Sequence, residues 1–118
     1  MKTFFENFRT SPLDVRLRES RRIMAKYPDR LPCVVQSEGG LAELDKHKFL
    51  IPRSFKSGQM LDIMRGRVKL EATHALYILY GSNGSMVTPS EPMVQIFDAY
   101  ADPDGFLYVT VCQEATFG

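Results

Sequence analysis

The sequence lacks the features that define several protein classes. Its 118 residues contain no run of about 18 apolar residues, which a membrane-spanning helix would need. No glycine-rich phosphate loop occurs, and the amino-terminal stretch MKTFFENFRT has neither the apolar run nor the small-residue cleavage site of a secretory signal. We therefore expect a single domain with no membrane-spanning helix, no phosphate-loop nucleotide site and no secretory leader.

Cysteine and histidine are scarce as well. Cys33 and Cys112 lie in the apolar segments PCVV and VTVCQ, which favours buried free thiols over a disulfide. Neither His47 nor His74 stands at metal-ligand spacing from a cysteine. A Cys-His nucleophile stays open, because such partners need only meet in space. We predict no metal, no cofactor and no enzymatic activity.

Charge is unevenly distributed along the chain. Residues 1–30 carry eight Lys/Arg against four Asp/Glu, whereas residues 31–118 carry seven against ten. The net positive charge of residues 1–30 indicates a surface that contacts a partner. The run RLRESRR could meet phosphates, but it is interrupted by Glu19, is typical of a solvated helix face and has no RNP-like aromatic pattern beside it. We predict no nucleic-acid partner.

Apolar periodicity and turn residues predict two helices followed by the order β-β-α-β-α-β. The predicted helices are FFENF, a helix with Ser11 as N-cap and Pro12 at N1 that ends at Pro28, KSGQMLDIMRGRVKL, and a short helix with Ser90 as N-cap. The predicted strands are RLPCVVQS, HKFLIP, a buried ALYILY, and FLYVTVCQ, which follows a turn at Asp102–Gly105. This order predicts a two-layer α+β domain: a ubiquitin-like β-grasp with a four-stranded mixed sheet, crossing helices and two additional N-terminal helices.

The segment HKFLIP admits two interpretations. In a strand, Lys48 and Leu50 point to one side, while Phe49 and Ile51 point to the other, and Pro52 favours an edge position. Lysines on an edge strand protect it against aggregation. The same pattern suits an edge strand that accepts an extended partner strand beside apolar pockets. The pattern alone leaves both open.

Four motifs in order resemble one family. KYPDRLP, LDKHKFLIP, SGQMLDIMRGRVKL and FLYVTVCQEATFG are similar to the autophagy-related ubiquitin-like modifiers, the family of the GABA-receptor-associated protein and light chain three. The resemblance runs from about residue 11 to Gly118. It implies joining of Gly118 to phosphatidylethanolamine on the autophagosome membrane and recruitment of cargo receptors through short aromatic-x-x-aliphatic motifs.

The resemblance also implies the residues of a peptide site. The pocket for the aromatic residue falls on Glu19, Ile23, Pro32, Lys48, Leu50 and Phe106. The pocket for the aliphatic residue falls on Phe49, Ile51, Pro52, Phe55, Met60 and Ile63, where Met60 replaces an aromatic residue and implies a softer wall. Lys46 and Arg67 form a charged rim.

The remaining expectations follow from the same resemblance. The chain would comprise an N-terminal helical extension (1–27), a β-grasp core (28–113) and a flexible conjugation tail (114–118). Its partners would be cargo receptors, the activating and conjugating enzymes of a lipidation cascade, a processing and delipidating cysteine protease, and the membrane through the attached lipid. It would be cytoplasmic, and on the autophagosome membrane when conjugated. The alternative is an unconjugated, soluble peptide-binding adaptor in vesicle trafficking with the same fold.

Overall fold

The computed structural model describes residues 2–68 and 74–115. Its helices are α1 (Phe4–Phe8), α2 (Leu13–Lys26), α3 (Ser57–Arg65) and α4 (Met93–Tyr100), and its strands are β1 (Arg30–Glu38), β2 (Lys48–Pro52), β3 (His74–Tyr80) and β4 (Leu107–Ala115). The order of elements is the predicted one. No helix in the described ranges is long and apolar enough to cross a membrane.

The four strands form one mixed sheet in the order β2-β1-β4-β3. The two central strands, β1 and β4, run parallel, while β2 pairs antiparallel with β1 and β3 pairs antiparallel with β4. The prediction of a mixed four-stranded sheet is confirmed. Strand β2 is an edge strand, as the proline at its end predicted.

Helices cover the sheet on both faces. On one face, side chains of all four strands form an apolar core with Met60 and Met64 of α3 and Met93 and Ile96 of α4. On the other face, a smaller cluster joins the sheet to α1 and α2; its members are Val34, Phe106, Tyr108, Phe4, Phe5, Phe8 and Ile23. The N-terminal helices therefore add a third layer to the two that the core alone predicted.

Both predicted N-caps are wrong. Helix α2 begins at Leu13 with Pro12 at the cap, and α4 begins at Met93 with Pro92 at the cap, in each case without a side-chain hydrogen bond from the cap residue. The hydroxyl of Ser90 lies 3.2 Å from that of Thr88 instead. The predicted end of α2 before Pro28 is confirmed, since Lys26 is its last residue.

Two further elements differ from their predictions. Helix α3 ends at Arg65, with Gly66 as its C-cap, several residues before the end of the predicted segment. Strand β3 is not buried throughout: Leu76 and Ile78 are buried, whereas Ala75 is exposed, because β3 is an edge strand whose second face is only partly covered.

Strand β4 continues further than expected. Glu114, placed by prediction in a flexible tail, is paired with Ala75, and Ala115 is paired with His74. The tail prediction is therefore wrong for these two positions. Residues 116–118, including Gly118, lie outside the described part of the chain.

Candidate peptide-binding site

Strand β2 divides its side chains between the two faces of the sheet. Phe49 and Ile51 are buried and belong to the core beneath α3, whereas Lys48 is exposed and Leu50 half-buried. Lys48 is joined to α2 by an ion pair with Glu19, with 2.7 Å between Nζ and Oε1. The alternation predicted from KFLI is confirmed, so β2 turns Lys48 and Leu50 towards α2 and Phe49 and Ile51 towards α3.

The backbone of β2 is available along its open edge. Val35 N donates to His47 O at 2.7 Å, and the register pairs Cys33 with Phe49 and Pro32 with Leu50. Hydrogen-bonded and non-hydrogen-bonded pairs alternate in an antiparallel ladder, so the amide and carbonyl groups of Leu50 point away from β1. Pro32 opposite Leu50 fits this register, because proline has no N–H to donate. The edge can therefore pair with an added strand.

The residues predicted to form the aromatic pocket come together between α2 and the edge of the sheet. Glu19 and Ile23 lie on α2, Pro32 and Leu50 face each other across β1 and β2, and Lys48 closes one side through its bond to Glu19. Ile23 packs against the smaller apolar cluster that contains Phe106. The Lys48–Glu19 pair thus joins β2 to α2 across this part of the surface.

The residues predicted to form the aliphatic pocket are brought together by β2 and α3. One concave surface is lined by Phe49, Ile51, Pro52, Phe55 and Ile63, together with Leu50. Its apolar walls come from β2, from the turn that follows it and from the exposed side of α3. The predicted aliphatic pocket thus corresponds to a continuous surface, with the exception of Met60.

Phe106 and Met60, which were also predicted to line the pockets, are buried and do not line the concave surface beside β2. Phe106 is 1% exposed and packs against Phe8, with ring centroids 5.2 Å apart. Met60 is fully buried in the main core. Both therefore support the pockets from below without lining them. The expectation that Met60 forms a soft wall of the aliphatic pocket is wrong, because an incoming side chain would not contact it.

The aliphatic pocket is strongly basic. Within the described ranges its lining holds four cations and no carboxylate; the cations are Arg30, Lys46, Lys48 and Arg67. Lys46 Nζ lies 4.9 Å and Arg67 Cζ 5.4 Å from the centroid of the Phe49 ring. These distances suit cation–π contacts, which orient both charges at the mouth of the pocket.

Arg30 is a candidate that sequence reasoning missed. Its Nη1 lies 3.5 Å from the carbonyl oxygen of Leu50, at the open edge of β2. In the sequence it stands eighteen or more residues before the KFLI segment, and only the register that places it opposite Pro52 reveals the contact. An added strand would compete with Arg30 for this carbonyl and release its guanidinium for an acidic partner.

The two cysteines are poor nucleophiles. Burial raises the pKa of the Cys33 thiol. Burial also raises the pKa of the Cys112 thiol, and it outweighs a hydrogen bond with Tyr77 that acts in the opposite direction. Both groups are therefore protonated at neutral pH. Among the residues that the structure covers, no group of three His, Cys, Asp or Glu side chains could hold a metal ion.

Comparison with known proteins gives one consistent result. Residues 15–118 match the model of the family described as "Autophagy protein Atg8 ubiquitin like". Human microtubule-associated protein 1 light chain 3 gamma is 42% identical over 90% of this chain and 74% of its own, and Arabidopsis thaliana autophagy-related protein 8i is 37% identical over the full length of both. The crystal structure of Trypanosoma brucei ATG8 superposes over the full length of both chains with a TM-score of 0.83 and 32% identity. The chain is therefore a member of the Atg8 family of autophagy-related, ubiquitin-like proteins.

Proposed function

We propose that this protein binds short peptides with an aromatic-x-x-aliphatic core and acidic flanks. The peptide adds a strand to the open edge of β2, where the amide and carbonyl groups of Leu50 point away from β1 and the peptide displaces Arg30 from the carbonyl. Its aromatic side chain enters the groove towards α2, and its aliphatic side chain, which lies three positions later and therefore on the opposite face of the extended peptide, enters the groove towards α3. Receptors and adaptors that carry such motifs are the partners.

One observation carries this proposal: the open edge of β2 runs beside an apolar pocket with a basic rim, and a contact to α2 lies on its other side. The edge of β2 gives affinity that does not depend on the peptide's sequence. The grooves select the aromatic and the aliphatic residue of the peptide, and the four cations select its acidic flanks. A strand protected only against aggregation needs the lysines but not the grooves. Affinity should be about micromolar, or about −8 kcal/mol, because a disordered peptide is ordered on binding.

Leu50→Ala should weaken peptide binding about tenfold, because it removes an apolar wall at the centre of the site. Titration calorimetry with a Phe-x-x-Ile peptide measures the change. Leu79→Ala, a half-buried leucine on the opposite edge strand, is the matched control and should leave the affinity unchanged. Equal affinities for Leu50→Ala and the unmutated protein would show that the peptide binds elsewhere.

Replacing Lys46 and Lys48 with Glu should slow peptide association more than it changes the folded state. The substitutions reverse charge at the rim, which steers acidic flanks over a distance. Binding to the unmutated protein should weaken as salt rises to about 0.5 M, where the Debye length is short. Stopped-flow fluorescence measures the rates, with Arg65→Glu on the exposed side of α3 as a control. An association rate that does not change with salt would mean that the basic rim does not attract the peptide and that apolar contacts alone bind it.

We further propose that Gly118 is joined through its carboxyl group to the amine of phosphatidylethanolamine. The protein is then the substrate of activating and conjugating enzymes and is not itself an enzyme. A cysteine protease processes or releases it, and the protein divides between the cytoplasm and the autophagosome membrane. Membership of the Atg8 family supports this proposal. Intact-mass measurement of the protein from starved cells distinguishes it from an unconjugated trafficking adaptor.

A further inference from the structure

The position of α2 decides the shape of the aromatic groove. Glu19 and Ile23 lie on α2, and Glu19 is bonded to Lys48, which shares a face of β2 with Leu50. A small rotation or translation of α2 would therefore open or close the groove without any change in the sheet. The contacts that hold α2 determine how well the groove fits an aromatic ring.

Those contacts include a buried ion pair. Arg16 Nε of α2 lies 2.9 Å from Asp104 Oδ2 in the turn before β4, and their side chains are 10% and 0% exposed. Asp104 Oδ2 also accepts a hydrogen bond from Tyr108 Oη at 2.6 Å, and Oδ1 accepts one from Phe106 N at 2.9 Å. The guanidinium of Arg16 donates in addition to the carbonyl groups of Arg9 and Ser11. Both carboxylate oxygens of Asp104 therefore accept hydrogen bonds.

A close steric contact accompanies the ion pair one helical turn further on. Ser20 Oγ donates to the carbonyl oxygen of Asp104 at 2.6 Å. Gly105 has φ +83°, and a Cβ at this position would lie 2.3 Å from Ser20 Oγ. Helix α2 therefore approaches the turn as closely as a serine against a glycine permits. We call Arg16, Ser20, Asp104 and Gly105 the α2 lock.

We propose that the α2 lock positions α2 for recognition of the aromatic residue, so that Asp104 and Arg16 are positioning residues of the aromatic groove. This inference rests on the proposed peptide binding. The same turn leads directly into Phe106, which supports the groove from below. One short segment, residues 104–106, therefore sets both the wall and the floor of the groove.

The chemistry of the lock suits positioning better than stability. A buried ion pair contributes little net stability, because desolvation of the two charges offsets their attraction. Its hydrogen bonds are directional, however, and breaking one partner leaves an uncompensated buried charge. Apolar contacts alone would hold α2 against the sheet in several neighbouring positions with similar free energies. The ion pair selects one of them.

The test compares two peptides on three proteins. One peptide has acidic flanks and a Phe-x-x-Ile core, and the second has Ala in place of the Phe. We expect the unmutated protein to prefer the Phe peptide about thirtyfold, as for a buried aromatic anchor. In Asp104→Asn the preference should fall to about threefold, while affinity for the Ala peptide stays within about twofold. Arg16→Lys, which keeps the charge but not the fork of donors, should give an intermediate preference.

Hydrogen exchange provides a readout that does not depend on peptide. The amides of α2 should exchange at least about tenfold faster in Asp104→Asn, whereas those of α3 should keep their rates. Asp62→Asn, which removes an exposed ion pair of α3, is the matched control and should change neither exchange nor preference. If the unmutated protein fails to distinguish the peptides, the proposed function is wrong. If the unmutated protein distinguishes the peptides, two results would show that the positioning role is wrong. Either Asp104→Asn and Arg16→Lys keep the full preference for the Phe peptide, or their α2 amides exchange at the unmutated rates.

Discussion

Deleting Gly118 should abolish lipid attachment in a reconstituted reaction with activating enzyme, conjugating enzyme and liposomes that contain phosphatidylethanolamine. Gly118→Ala should slow or abolish it as well. Mass spectrometry of the intact protein measures both results directly. In each variant the affinity for a Phe-x-x-Ile peptide should be unchanged, because the edge of β2 and its two grooves are formed by other residues.

The physical reason lies in the route that the carboxyl group must take. In the proposed conjugation it would first be adenylated with release of pyrophosphate, then passed to an enzyme cysteine as a thioester with release of AMP, and finally attacked by the lipid amine with release of the thiol. Each step needs the tail to enter a narrow active site. Gly118 has no Cβ, so its carbonyl is unhindered and its backbone can adopt conformations that other residues avoid. Phe117 offers an apolar side chain for the enzymes to bind.

The consequence for membrane binding follows from the acyl chains. Two acyl chains anchor a protein stably. Flotation of liposomes should therefore recover the conjugated protein. Efficient lipid attachment of the protein without Gly118 would show that another group is the attachment site.

Gly105→Ala should lower the free energy of unfolding by about 4 kcal/mol, near the upper end of single substitutions. The backbone at Gly105 has φ +83°, which is unfavourable for a residue with a Cβ. The new Cβ would also lie 2.3 Å from Ser20 Oγ and 3.0 Å from Ser20 Cβ, so α2 would have to move away from the turn. Urea denaturation measures the change.

Gly66→Ala is the matched control. Gly66 ends α3 with φ −73°, and the nearest atom to an added Cβ is Ile63 O at 3.4 Å. This substitution should change the free energy of unfolding by no more than about 0.5 kcal/mol. If Gly66→Ala and Gly105→Ala lowered the free energy of unfolding by similar amounts, the close approach of α2 to Gly105 would not be what makes Gly105→Ala destabilising.

The candidate site could be predicted in part from sequence. The alternation of Lys48 and Leu50 with Phe49 and Ile51, together with Pro52, indicated an edge strand with two different faces. The pattern could not choose between a protected edge and a binding edge, because both need the same lysines. The groove towards α2 needs a helix that is distant in sequence from β2, and the groove towards α3 depends on how that nearby helix packs against the strand, which the pattern does not show.

The helix starts show why other predictions failed. Met93 N at the start of α4 donates to Phe55 O at 2.8 Å, and at the start of α3 Ser57 N donates to Glu91 O and Gly58 N to Pro89 O, both at 2.9 Å. The segments before the two helices thus satisfy each other's free amide groups. Serine is predicted as a cap because its hydroxyl is a local acceptor, and it is not needed where a distant carbonyl group fills that role.

The sequence by itself determined the order of the elements, the edge position of β2 and the division of its side chains between two faces. These features depend on local periodicity and on proline, which act within a few residues. Only the tertiary structure decided that Phe106 and Met60 lie beneath the grooves, that Arg30 reaches the Leu50 carbonyl, and that a buried pair holds α2 in place. Such contacts join residues that are far apart in the chain, and whether a side chain lines a groove or supports it depends on what packs over it.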